Sequence, residues 1–129
     1  DESNHTASYP LIKIDSIGNI IWQNTIGGNK HDYLQSVTTS LDGGYLLSGF
    51  SESNISGNKI ENTNGAYDFW VVQIDAAGNV EWQKSIGGNS YDYLYTGMAL
   101  NDSSNVFAGW SESNISGDKT ENSNGLNDI

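Results

Sequence analysis

The chain has no cysteine, a single proline and a single methionine, and only five basic residues against sixteen acidic ones in 129. Without cysteine there are no disulfides, although this does not by itself fix a redox compartment. A formal net charge of −11 at pH 7, with no basic stripe, removes the usual footprint of a nucleic-acid binder and disfavours anionic membrane surfaces. No apolar run approaches the roughly 20 residues of a membrane span, and no signal-peptide pattern is visible. Gly27-Gly28 lacks the lysine and the following helix of a phosphate loop. Helix signal is weak throughout, because Gly and Asn interrupt every stretch long enough for a 3.6-residue apolar period.

What is present is aromatic. Hydrophobic residues make up only 36% of the chain, yet four Trp, seven Tyr and three Phe bring the aromatics to 11%. Disordered chains are poor in aromatics, so the composition describes a folded protein of short elements and many turns. The order of the residues is more informative still. Ser51-Glu52-Ser53-Asn54-Ile55-Ser56-Gly57 recurs unchanged as Ser111 to Gly117, 60 residues later. The same offset places Ile26-Gly27-Gly28-Asn29 on Ile86 to Asn89 and Asp32-Tyr33-Leu34 on Asp92 to Leu94. Aligning 11–69 with 71–129 gives 28 identities in 59 pairs, with no gap. A fixed period of this size marks repeated supersecondary units.

One repeat reads as four strands. Phe69 to Asp75 is rich in aromatic and β-branched residues. Ala76-Ala77-Gly78-Asn79 follows as a turn that uses positive φ, and Val80 to Lys84 alternates to close a hairpin. Leu11 to Asp15 and Asn19 to Thr25 are the earlier copy. After the Gly-Gly crossing, Asp92 to Leu100 and Asn105 to Ser111 form two further strands, matching Asp32 to Leu41 and Tyr45 to Ser51. Small residues at Ser48, Gly49, Ala108 and Gly109 suit close sheet packing. A long polar segment, 52–67, leads to the next hairpin. The expected fold is all-β, with 60-residue repeats of four antiparallel strands. Such a sheet has two faces to bury, and radial stacking of sheets as in a β-propeller buries both.

The run Asp-aromatic-aromatic-Val-Val-x-Ile-Asp-x-x-Gly-Asn-Val-x-Trp, then Ile-Gly-Gly-x-x-x-Asp-Tyr, then a Gly-containing strand, resembles the seven-bladed β-propeller repeat family. It is similar in particular to versions in large secreted bacterial proteins that carry a type IX secretion sorting domain. The resemblance runs from about Leu11 to Ile129. It implies a hub-to-rim order of 32–41, 45–51, 69–75 and 79–85. It also implies a division into an outer half-blade (1–31), a complete blade (32–91) and the inner half of the next (92–129). About two blades are present, whereas propellers close with about four to eight. The chain therefore reads as an incomplete propeller, a piece of a larger protein, with self-assembly of several chains into one ring as the alternative.

Candidate sites fall mainly in the polar segments. Asn58, Glu61, Asn62, Asn64 and Asp68 in one copy, and Asp118, Glu121, Asn122, Asn124 and Asp128 in the other, offer side-chain oxygens at the short spacing that Ca²⁺ takes. No EF-hand consensus is present, and the same residue types form self-bonded loops. Trp22 and Trp82 could stack on a glycan or pack between sheets. Asp32 and Asp92 are placed to bond the backbone amides of the Gly-Gly crossing. His31 and His5 align with Tyr91 and Gly65, so neither is repeated, and a zinc site or a Ser-His-Asp arrangement has no support. Asn54-Ile55-Ser56 and its copy fit the N-glycosylation pattern, which this composition produces by chance.

The expected function is a non-enzymatic structural or interaction module of a secreted or cell-surface bacterial protein, with polar loops displayed for adhesion or assembly. Its expected partners are other blades, copies of itself, surface proteins or glycans, with no membrane insertion. The alternatives are a carbohydrate-binding propeller with one site per blade, gaining avidity from several weak sites, and the accessory propeller of an extracellular hydrolase.

Overall fold

A computed structural model describes residues 6–125. Asp128 and His5 lie outside the described residues. Among the described residues there are eight strands and no helix. They are β1 (Tyr9–Ile14), β2 (Ile20–Ile26), β3 (Asp32–Thr39), β4 (Tyr45–Ser51), β5 (Asp68–Ile74), β6 (Val80–Ile86), β7 (Asp92–Ala99) and β8 (Asn105–Ser111). These form three antiparallel sheets: β1-β2, β3-β4-β5-β6 and β7-β8. The bonded order of the central sheet is the one expected for a repeat. The third strand begins one residue before the expected Phe69, at Asp68, and the fourth begins at Val80, as read from its alternation, and runs on to Ile86.

The turns follow from local chemistry. In the β1–β2 turn the Asp15 carboxylate accepts the N–H groups of Ile17 and Asn19, each at 2.9 Å. Asp75 does the same for Ala77 and Asn79 in the β5–β6 turn. Gly18 and Gly78 supply the left-handed residue, at φ +92° and +88°. Such bonds to the charged form favour it. The Asn19 side chain first, and the Asn79 N–H first, hold Asp15 and Asp75 below the usual carboxylate range.

Residues opposite one another in register share a face of the sheet. Leu47 pairs with Val72 and Gly49 with Trp70, on one face; Leu46 pairs with Gln73 and Ser48 with Val71, on the other. The first face packs on Tyr9, Leu11 and Ile26 of the β1-β2 sheet, forming the core with Trp70, Val72 and Ile74. The Tyr9 ring lies 4.9 Å from Trp70, and its hydroxyl donates to the Trp70 carbonyl at 3.2 Å. Burial pushes the Tyr9 phenol well up, with Asp32 adding to it. On the second face, β7 lies against β3, β4 and β5, and a Cβ on Gly97 would overlap the Ser48 hydroxyl. Gly49 has no room either, since a Cβ there would overlap the Tyr33 carbonyl. β4 and β5 are therefore covered on both faces, while β2 and β6 are mostly exposed. Each fully buried large apolar side chain of this core contributes about 1.5–3 kcal/mol.

Candidate functional site: the loop interlock and the aromatic edge

The polar segments after β4 and β8 take the same course, held by the same bonds. The Ser56 hydroxyl accepts the Asn29 N–H at 2.9 Å, and Ser53 accepts that of Lys30 at 3.0 Å. In the second copy Ser116 and Ser113 do the same for Asn89 and Ser90, at 2.8 and 2.9 Å. The Asn58 N–H donates to the Gly27 carbonyl, and Asp118 to that of Gly87, each at 2.9 Å. Gly57 and Gly117 are left-handed at φ +53° and +55°, and a Cβ on either would strike those same carbonyls. The seven repeated residues and the Gly-Gly-Asn crossing are two halves of one interlock.

Buried carboxylates anchor it from below. Asp32 accepts the Gly28 N–H at 2.7 Å and the Ser51 hydroxyl at 2.5 Å. Asp92 accepts Gly88 N–H at 2.8 Å, Ser113 Oγ at 2.8 Å and Ser111 Oγ. This is the amide contact expected of the two Asp-Tyr positions. Asp68 differs. Its Oδ2 accepts the Asn64 N–H at 2.7 Å, but its buried Oδ1 has no partner. Burial, with Asp92 adding to it, pushes this carboxyl up to about 6.

Of the expected Ca²⁺ donors, Asn58, Glu61, Asn62, Asn64, Asp68, Asp118 and Asn122 are drawn into this framework. Asn58 Oδ1 accepts the Gly27 N–H, and Asn62 and Asn122 cap the Ile55 and Ile115 N–H groups, each at 3.0 Å. Asn64 Nδ2 donates to the Gly87 carbonyl and to Asp118, whose carboxylate also accepts the Gly87 N–H. Glu61 accepts the Ser85 N–H at 2.7 Å and pairs with Lys84 at 2.9 Å. Burial raises its carboxyl, but the Ser85 N–H and Lys84 outweigh that and hold it below the usual range. Glu121 lines an open groove beside β8. Among the described residues no three His, Cys, Asp or Glu side chains cluster as a group that could hold a metal ion; Ca²⁺ also takes Asn and backbone carbonyl oxygens.

Lys59, which the sequence reading passed over, is a central member of the framework. It is buried, and its ammonium donates to the Glu61 carbonyl at 2.7 Å and to the Ser85 hydroxyl at 2.6 Å. Burial lowers its pKa, opposed by Asp68, Asp32 and Glu61. Its one sequence signal was recurrence as Lys119, inside two otherwise acidic loops.

The two tryptophans singled out for glycan stacking have different surroundings. The Trp22 indole donates to the Ala76 carbonyl at 2.9 Å, lies over Gly78 and meets Tyr45 edge-on at 6.3 Å. It is a contact between sheets. Trp82 is exposed. The larger aromatic surface lies elsewhere, where β3 and β7 begin. Tyr33 packs on Phe50 at 5.1 Å, Phe50 on Tyr93 at 4.7 Å, and Tyr93 on Trp110 at 4.6 Å. Tyr91 stacks on Tyr93 and His31 on Tyr33, both nearly parallel at 6.0 Å. Sequence reading missed this row because its members sit on different strands.

A scan against protein-family models finds no match, and a search of curated proteins finds no relative of this chain.

Proposed function

We propose that the chain is a non-enzymatic structural and interaction module, built from β-propeller blades, of a secreted or cell-surface bacterial protein. The cellular setting, including the type IX secretion context, rests on the repeat resemblance. The display mechanism is supported by one observation above all: loops 52–67 and 112–125 are fastened to the crossings by matching bonds. A loop tied at its entrance by buried hydroxyls and at its middle by Asn62 or Asn122 presents its outer side chains on a fixed surface. Loops positioned by a rigid scaffold are where binding surfaces concentrate. Hydrogen exchange tests this. The amides of Lys30, Ile55, Ser90 and Ile115 should be protected to within a factor of about ten of the β4 amides. Exchange at the rate of an open loop would falsify the rigid-display mechanism.

A second reading, carbohydrate binding, is favoured by the aromatic row rather than by Trp22 or Trp82. Tyr33 and Tyr91 are partly exposed, each stacked on a second ring, and the stacked pairs His31–Tyr33 and Tyr91–Tyr93 stand at equivalent repeat positions. Flat faces at equivalent positions suit sugar rings and gain from avidity. Binding on a glycan array that disappears in Tyr33→Ala and Tyr91→Ala supports this reading; no binding by the wild type removes it.

A further inference from the structure

The flanking sheets leave bare what the central sheet has covered, position for position. At the 60-residue offset, β1 and β2 stand for β5 and β6, while β7 and β8 stand for β3 and β4. Among the described residues β4 is bonded to a strand on each edge, whereas β8 is bonded only to β7 and β1 only to β2. Ile12, Ile14 and Val106 are 63%, 57% and 50% exposed, while their counterparts Val72, Ile74 and Leu46 are buried. The groove beside β8, between Phe107, Ala108 and Gly109 on one side and Phe69, Lys119 and Glu121 on the other, is the place that β5 fills beside β4.

A separate pair of surfaces tells the same story. Trp22 covers Gly78. Trp82, its counterpart, is 41% exposed. Gly18, the counterpart of Gly78, has the same left-handed backbone, with nothing within 4 Å of where a Cβ would stand. An uncovered indole and an uncovered turn are the two halves of a contact that the chain already makes once within itself.

We propose that this chain binds a second copy of itself head to tail. β8 of one copy pairs antiparallel with β1 of the next, completing a four-stranded sheet in the order β7-β8-β1-β2. The proposal rests on the blade reading above. The register is that of β4 on β5: Asn105 opposite Ile14, Val106 opposite Lys13, Phe107 opposite Ile12 and Ala108 opposite Leu11. Trp82 then seats on the Ser16–Gly18 turn of the next copy.

The occupant is a copy because β1-β2 carries what β5-β6 uses at this contact. Gln23 repeats Gln83, which bonds the Ile60 N–H and the Asn58 carbonyl. Thr25 repeats the hydroxyl of Ser85, which accepts from Lys59. Two features are weaker. Pro10 brings no N–H in place of Trp70, so the ladder runs from Leu11, and Asn24 cannot pair with Glu121 as Lys84 does with Glu61. A contact that uses a different surface on each copy closes into a ring where the rotation permits and otherwise propagates. Each copy supplies one four-stranded sheet and two half-sheets, so rings hold an even number of complete sheets. Two to four copies would cover the roughly four to eight sheets of radial β architectures.

Disulfide trapping and native mass test this directly. The chain has no cysteine of its own. Lys13→Cys combined with Val106→Cys should therefore give intermolecular links, since directly opposite residues lie about 4.5–5.5 Å apart between Cα atoms. Ile12→Cys with Val106→Cys, on opposite faces, should not link. The native mass of the unmodified chain should be a multiple of 14.0 kDa. Trp82→Ala should raise the dissociation constant about tenfold or more with an unchanged circular dichroism spectrum. A ladder of growing species supports the contact as fully as a discrete ring. A monomer with no linked product overturns the proposal and leaves the loop reading intact, because hydrogen exchange tests that separately. An unchanged dissociation constant in Trp82→Ala overturns the register.

Discussion

Gly28→Ala tests the interlock at its tightest point. Gly28 does not have a left-handed backbone, so any cost of a side chain comes from space alone. A Cβ there would overlap the Ser53 Cβ and stand 2.6 Å from Ser53 Oγ and 2.9 Å from Ser56 Oγ. Those two hydroxyls accept the Lys30 and Asn29 N–H groups. Ser53 is fully buried and cannot swing into solvent. Overpacking costs about 1–3 kcal/mol, and two weakened hydrogen bonds add about 1 kcal/mol each. The expected loss is roughly 3–5 kcal/mol, a large share of a typical domain's stability. Urea unfolding followed by tryptophan fluorescence measures it, as a lower midpoint at constant m. Gly125→Ala, with nothing near its Cβ position, is the control and should stay within about 0.5 kcal/mol of wild type. Ser53→Gly removes the obstructing Cβ, so a double-mutant cycle with Gly28→Ala should show a favourable coupling of at least about 1 kcal/mol. Ser53→Ala keeps that Cβ and should couple far less. Additive costs for Gly28→Ala and Ser53→Gly would refute the steric argument, as would a Gly28→Ala variant no worse than Gly125→Ala.

Four further outcomes follow from other parts of the molecule. Asp68 titrates near 6 when folded against an ordinary 3.8, so the folded state binds its proton more tightly. That contribution to stability is complete below pH 4, is lost as pH rises to 6, and amounts to on the order of 2–3 kcal/mol. Thermal melts from pH 4 to 7 should show this slope in the wild type and its loss in Asp68→Asn. Ser103 is left-handed at φ +67° where the first repeat has Gly43 at +86°; Ser103→Gly should stabilise by about 0.5–1 kcal/mol in urea unfolding. Under monomeric conditions Trp22→Ala should cost roughly 2–3 kcal/mol and Trp82→Ala under about 0.5 kcal/mol, although the two occupy the same repeat position. Because Asn58, Glu61, Asn62, Asp118 and Asn122 already accept backbone N–H groups, melts with Ca²⁺ and with chelator should coincide; a rise with Ca²⁺ would support the cation reading.

The strands were legible in the sequence because two signals agreed. Runs such as Phe69 to Ile74 combine aromatic and β-branched residues with turns of Asp-x-x-Gly-Asn, and the 60-residue offset displays each run twice. The Asp32 and Asp92 contacts were legible too, since a carboxylate just after two glycines has free amides within reach. The rest depended on neighbours that local pattern does not encode. Trp22 and Trp82 share one motif position, and what separates them is whether another sheet's Gly78 lies beneath the indole. Lys59 in a polar loop reads as a solvated cation; its burial follows from the Trp70 ring, the Ser85 hydroxyl and the Glu61 carbonyl, which meet its ammonium from two strands and its own loop. The aromatic row recurs at the 60-residue offset, as Tyr33 with Tyr93 and Phe50 with Trp110, but its contacts cross strands and sheets, which the pattern along one strand does not show.

The identity of the two seven-residue segments therefore carries a different meaning from ligand recognition. Ser53 and Ser56 need their hydroxyls for the crossing amides, Gly57 must clear the Gly27 carbonyl, and Gly28 must clear Ser53. Such mutual constraints hold each residue type regardless of what the loop binds. They bear on the inner side of the loop only. Asn58 becomes Asp118 and Thr63 becomes Ser123, each keeping a hydrogen-bonding oxygen, and the exposed Ile60 becomes Thr120, so the repeats diverge in what the interlock leaves free. Specificity for a partner would be written at those positions. Exchanging 58, 60 and 63 between the copies should leave the unfolding midpoint within about 0.5 kcal/mol of wild type and should alter any binding the loops perform.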